Sequence, residues 1–214
     1  MLNGLTMPTS GSAYVLGVSN AMDLDLDNRG TVDFGTPAVT DPDGIQDGVT
    51  YTAGQVFTFT TIESDVPYGR NVTVVAGGAN TQVLTVTGRD YLNQLMTETF
   101  TMNGTTPVVG AKAFKTIESI TSVTFAGDLD IGWGARFGLP YTVSACEGEY
   151  NDNATANAGT VVAPVTTDPA TATTGDPRGL YTPTTTPNGT RHIRAEFLFK
   201  APTEALGLLG VEHK

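Results

Sequence analysis

Carboxylates are the side chains of this 214-residue chain best suited to chemistry, and three groups of them are closely spaced. Asp41-Pro-Asp43-Gly-Ile-Gln-Asp47 has the look of a calcium loop, because a hard cation wants several carboxylate oxygens held around a turn that glycine permits. The EF-hand pattern also requires a Glu at its twelfth position, which here is Thr52, and Pro42 stiffens the loop. The same residues make an ordinary solvated turn. The expectation is therefore no bound metal, with Asp41, Asp43 and Asp47 as the candidates should a cation bind. Asp23, Asp25 and Asp27 alternate with leucines, so on a strand they form a ladder of like charges that can chelate a cation, meet a basic partner or face water. Glu147, Glu149 and Asp152 make a third acidic knot, read as loop surface.

The other catalytic arrangements fail on count or spacing. Glycoside hydrolysis needs an acid and a base across a cleft lined with aromatics, and no aromatic cluster stands beside any acid pair. A Ser or Cys nucleophile needs a His base. The two histidines are His192, on the outer face of an expected strand, and His213, near the end of the chain. Cys146, the single cysteine, ends an expected strand and reads as a small buried thiol. Gly132-Trp-Gly134 and Gly175-Asp-Pro-Arg-Gly179 are glycine-spaced but open no helix, so they offer no helix N-terminus to a phosphate. The expectation is a protein without catalysis and without a cofactor. One alternative remains for the aromatics: Trp133, Phe137 and Tyr141 as a stacking platform for a carbohydrate.

Strands must position all of these residues. Asn71–Val75, Gln82–Thr87, Met96–Met102 and Ala113–Ile117 are short, rich in Val, Thr and Phe, and roughly alternating. Each run is closed by a turn signal: Gly77-Gly78, Gly88-Arg-Asp90, Asn103-Gly104 or Gly110. Alternation gives one buried and one wet face, and several such runs joined by tight turns indicate an antiparallel sandwich. Further strands are expected at 13–18, 23–27, 31–37 (paired with 23–27), 49–52, 55–62, 119–125, 141–146 and 160–165. The cleanest is His192–Lys200, with Ile193, Ala195, Phe197 and Phe199 on one face. Leu129–Pro140 is expected to make close turns around its glycines while burying or displaying Trp133 and Phe137. No stretch supports a long amphipathic helix. The fold class is all-β, an antiparallel β-sandwich of jelly-roll or Ig-like type with extended arms. The expected division is 1–40, an N-terminal arm with edge strands; 41–200, the sandwich, with 147–190 a long loop or edge insertion; and 201–214, a C-terminal tail.

Composition narrows the partners. Charged residues are only 15%, and 11 basic against 22 acidic residues leave a net charge of −11. Phosphate binding needs a basic stripe, so a nucleic-acid ligand is not expected. No apolar run approaches the roughly 20 residues of a membrane helix, and no signal peptide is expected at the N-terminus. The 166–188 segment, full of Thr, Pro, Gly and Ala, reads as an ordered loop or a clamp on a partner.

A set of motifs carries a resemblance. They are Asp41-Pro-Asp-Gly-Ile45, Asp65-Val-Pro67 with Arg70-Asn-Val-Thr73, Leu84-Thr-Val-Thr-Gly-Arg-Asp90, Met96-Thr-Glu-Thr99 and Asn103-Gly-Thr-Thr106. Lys112-Ala-Phe-Lys-Thr-Ile117 with Ser119-Ile-Thr-Ser-Val123, Gly138-Leu-Pro140, Gly175-Asp-Pro-Arg-Gly179 and Asn188-Gly189 complete the set. Over about residues 41 to 199 the chain resembles tailed-bacteriophage virion proteins of the head-decoration or cement kind. The resemblance implies a sandwich subunit, usually oligomeric, that binds the major capsid protein on the capsid surface after synthesis in the host cytoplasm. It supplies no catalytic residues. The expected assembly is a homotrimer, with a tail or neck component and a receptor- or carbohydrate-binding module as alternatives. The expected partner contacts are Leu2, Leu5 and Met7 in the N-terminal arm, Trp133 and Phe137, and Leu206, Leu208, Leu209 and Val211 in the tail.

Overall fold

The computed structural model describes residues 29–165 and 175–199. The expected strands at 13–18 and 23–27, both terminal arms and residues 166–174 lie outside them. The described residues form fourteen strands in chain order and no helix: β1 (Arg29–Gly35), β2 (Asp41–Tyr51), β3 (Val56–Glu63), β4 (Arg70–Ala76), β5 (Val83–Arg89), β6 (Leu95–Thr101) and β7 (Val108–Phe114). There follow β8 (Thr116–Thr121), β9 (Gly127–Gly138), β10 (Val143–Asn151), β11 (Ala154–Ala156), β12 (Thr160–Val162), β13 (Leu180–Thr182) and β14 (Ile193–Phe199).

The strands make three antiparallel sheets, consistent with a β-sandwich. One runs β3-β8-β5-β6, one β1-β14-β10-β11, and the third β12-β13-β9-β4-β7 with β2 also paired to β9. The first core lies between the third sheet and the first: Val72, Val74, Leu129 and Ile131 meet Leu84, Val86, Met96, Phe100, Ile117 and Ile120, all buried. The second core joins the third sheet to the β14 sheet, where Phe137, Leu139 and Tyr181 meet Val32, Phe34, Val143, Ile193, Ala195 and Phe197. The third sheet therefore serves both cores.

Period-two patterning accounts for most of these faces. On β14, Ile193, Ala195 and Phe197 are buried while their neighbours are half exposed, as alternation requires. On β3, Phe57 and Phe59 pack on the first core, and Ile62 joins them although its parity is opposite. The pairing shifts register between Thr58 and Ile62, and on β8 the core residues opposite, Ile120 and Ile117, change parity over the same span.

Three expectations are corrected. Leu129–Pro140 is no set of close turns, because its first ten residues lie on β9, a twelve-residue strand. Its glycines are there because neighbours cross it: a Cβ on Gly132 would stand 1.7 Å from the Asp41 carbonyl oxygen, and one on Gly134 would stand 2.4 Å from the Asn71 side chain. The Asp41–Gly48 stretch is likewise not a free turn but part of β2, with register shifts that take up its Asp and Gly residues. Strand β10 runs past Cys146 to Asn151 and turns back through Asp152 and Asn153, both at positive φ, a conformation that Asp and Asn tolerate. In addition, β1 pairs with β14 and buries Val32 and Phe34, while its expected partner 23–27 lies outside the described residues.

Phe34 touches Tyr68, Phe137, Tyr181 and Phe197 with ring centroids 5.2–6.4 Å apart. Phe34→Ala is expected to cost about 3–5 kcal/mol, read as a lower urea midpoint. Val123→Ala, at a residue 84% exposed, should stay within about 0.5 kcal/mol.

Candidate functional site around Trp133

Strand β9 takes different partners along its length. Its one edge is paired with β4 between Leu129 and Phe137; on the other, β2 covers Gly127 to Trp133 and β13 covers Phe137 and Gly138. Residues 134–136 fall between β2 and β13. On the β4 side the register also breaks there, so that Asn71 alone opposes Gly134, Ala135 and Arg136. A bulge of this size strands backbone groups, which cost free energy if buried unpaired. Two side chains satisfy them: Arg70 Nε donates to the Gly134 carbonyl at 2.9 Å, and the Arg136 amide donates to Asn71 Oδ1 at 2.8 Å. Asn71 Nδ2 also donates to the Gly110 carbonyl at 3.3 Å.

Two hollows open at this break, and Trp133 lines both. The larger, about 540 Å³, has Asp41, Glu63, Asp65, Arg70 and Asn188 in its wall. The smaller, about 360 Å³, has Thr73, Val109, Arg136 and Thr182. Both volumes fall within the range of about 300–1,000 Å³ usual for small-molecule sites. Arg70 is 1% exposed; its Nη1 donates to the Ala38 carbonyl and pairs with Asp65 at 3.1 Å, while its Nη2 has no partner. Asp65 also accepts the Ala38 amide at 2.6 Å.

The sequence-expected site residues fare unevenly. Asp43 is pushed above the usual carboxylate range, first by a hydrogen bond with the Asp41 carboxyl and then by its charge. Among the described residues no group of three or more His, Cys, Asp or Glu is arranged to hold a metal ion. Phe137 is wholly buried in the second core, so it neither completes a stacking platform with Trp133 and Tyr141 nor stands open to a partner. Leu2, Leu5, Met7, Leu206, Leu208, Leu209 and Val211 lie outside the described residues, as do Asp23, Asp25, Asp27 and His213. Glu149, expected on a loop surface, is fully buried on β10 and accepts hydrogen bonds from the Tyr181 hydroxyl and the Thr184 amide. His192 pairs with Asp33 at 2.7 Å on the outside. Burial pushes the half-buried Cys146 thiol above its ordinary value, which makes it less nucleophilic. The sequence did not point to Arg70, Glu63, Asp65 and Asn188 as neighbours of Trp133, because they come from separate loops and strand ends. Its one usable signal was the Gly132-Trp-Gly134 bracket.

The remaining charges are interior ties. Arg178 Nη2 meets Asp90 at 2.9 Å with both side chains at most 2% exposed. Its Nε donates to the Leu139 carbonyl, and its guanidinium lies 4.8 Å from the Tyr91 ring centroid. Asp90 Oδ1 also accepts the Leu92 and Gln94 amides, closing the β5–β6 turn. Asp176 Oδ1 accepts the Arg178 amide and Oδ2 the Ala113 amide, while Glu98 Oε1 accepts the Ala111 amide. Residues 175–181, half of the described part of the stretch read as a partner clamp, are buried, since they carry these ties and lead into β13. No protein-family model, curated protein or solved structure matches the chain.

Two expectations follow from the ties. Asp90→Asn keeps an acceptor for the turn but removes the ion-pair partner of the buried Arg178, and should cost about 3–5 kcal/mol. Adding Arg178→Met should recover much of that loss in denaturant unfolding. Glu98, 4% exposed, has its carboxyl pushed up to about 7, chiefly by burial, and its Oε2 lacks a partner. Burial raises Asp176 in the same direction. The folded state thus keeps protons that the unfolded chain releases near the ordinary carboxyl value. The stability these protons give is complete below that value and is lost as pH climbs toward 7. Glu98→Gln should remove on the order of 3 kcal/mol of that pH dependence, measured as the slope of unfolding free energy between the two limits.

Proposed function

We propose that this protein is a non-enzymatic structural component of a tailed-bacteriophage virion, a capsid decoration or cement subunit that binds the major capsid protein lattice, with the trimer as its working unit. The observation that carries this reading is where the motifs of the resemblance lie. Asp65, Arg70, Asn71, Asp90, Asp176 and Arg178 are consumed in hydrogen bonds and ion pairs that tie strands and turns together. What those motifs specify is a scaffold, and a scaffold is what a lattice-binding subunit contributes.

The charge and the weak-contact logic support the same role. A net charge of −11 favours solubility at high local concentration and docking on basic surfaces. Several modest contacts per oligomer add as avidity across a repeating lattice. The terminal segments and Trp133 are the assigned contacts on the sequence reading, Phe137 being excluded by its burial.

Co-sedimentation tests the proposal. The purified protein is expected to pellet with capsid shells of the parent particle in hundreds of copies, and a stoichiometry of six or twelve would place it in a tail or neck instead. Removing residues 1–11 and 203–214 should abolish pelleting; unchanged binding would overturn the assignment of the arms as contacts. Sedimentation equilibrium should return about three times the 22.3 kDa chain mass.

A further inference from the structure

We propose that the paired hollows around Trp133 form a binding site for a neutral carbohydrate, with Trp133 between two adjacent sugar positions. This goes beyond the capsid reading and does not depend on it.

The chemistry of the wall selects the ligand class. Asp41, Glu63 and Asp65 put three carboxylates around the larger hollow, against the single guanidinium of Arg70. An anion would be repelled by that balance. A simple cation finds no group of three or more His, Cys, Asp or Glu arranged to hold it among the described residues. A hydroxyl both donates and accepts. A ring carrying several hydroxyls can therefore give hydrogen bonds to Asp41 and Asp65 and accept them from Thr40 and Asn188 in the same wall. Its apolar C–H face needs an aromatic surface, and Trp133 is the chain's one tryptophan, half-buried and shared by both hollows.

The fold also prepares the site in advance. Arg70 is held by the Gly134 and Ala38 carbonyls and by Asp65, so its position is set before any ligand arrives. The Gly132 and Gly134 positions let β2 and Asn71 close on either side of the Trp133 backbone. Preorganisation of this kind lowers the ordering cost of binding. The smaller hollow, with Thr73, Arg136 and Thr182, offers a second set of hydrogen-bonding groups one step along β9. A disaccharide should accordingly bind more tightly than either of its single sugars.

The single tryptophan makes the test direct. The full chain is titrated with methyl glycosides of glucose, galactose, mannose and N-acetylglucosamine, and with maltose, cellobiose and lactose. Trp133 fluorescence and amide chemical shifts are followed, with inorganic phosphate and tetramethylammonium as comparison probes. The expected result is a saturable response to at least one sugar, with shifts centred on Thr40, Asp41 and Asn188. Trp133→Ala should weaken the affinity about tenfold, and Asp41→Asn should weaken it too. If Trp133→Ala does not fold, Thr40→Phe, which narrows both hollows, should abolish the response. The proposal is overturned if no sugar responds up to about 10 mM, where any millimolar Kd would register. It is equally overturned if only phosphate or tetramethylammonium responds, if the shifts map elsewhere, or if the sugar affinity is unchanged by loss of Trp133.

Discussion

The arrangement of this molecule depends on one awkward strand. β9 must pair with β4 on both sides of its bulge while serving β2 at one end and β13 at the other. No regular ladder satisfies that demand, and the strand breaks register at residues 134–136. The backbone groups exposed by the break are taken by Arg70 and Asn71, side chains that a sandwich interior would otherwise exclude. Their burial in turn draws in Asp65, whose charge and amide contacts hold the 37–40 connection in place. Both cores meet at this strand, since Leu129 and Ile131 belong to one and Phe137 to the other.

The second consequence is a polar interior of unusual depth for a chain with so few charges. Arg178, Asp90, Asp176, Glu98 and Lys112 are all buried. Lys112 Nζ donates to the Thr97 carbonyl at 2.7 Å, and the carboxylates reach backbone amides of β7 and of the Gly175–Gly179 turn. Each of these groups is expensive to bury alone and tolerable only in company. The network therefore trades stability for a defined relation between the sheets, since a mispaired strand would leave a charge without its counterpart.

Much of the fold was legible in the sequence because alternation reports burial directly. Ile193, Ala195 and Phe197 announce β14, and Leu84 with Val86 announces β5. Local pattern misleads where tertiary demands override local preference. Gly132-Trp-Gly134 looks like a turn locally, yet the glycines answer to crossing neighbours about sixty and ninety residues away in sequence, as the positions of Asn71 and Asp41 show. Asp41–Gly48 carries every turn residue but is drawn into pairing by β9. Phe137 could not be told from Trp133 by type or spacing, because the difference between them is the bulge that separates them. For the same reason the groups facing Trp133 left no periodic trace. They converge only after β2, β3, β4 and the Asn188 loop are in place.

Strand β7 ends the third sheet, and an uncovered outermost strand ordinarily invites a foreign one to lie alongside it. Here the amides of Ala111 and Ala113 are already engaged by the Glu98 and Asp176 carboxylates. The margin is thus closed by the molecule's own acids. Copies crowded together cannot zip into a continuous ribbon through it, and whatever association they undergo must use other borders, faces or loops.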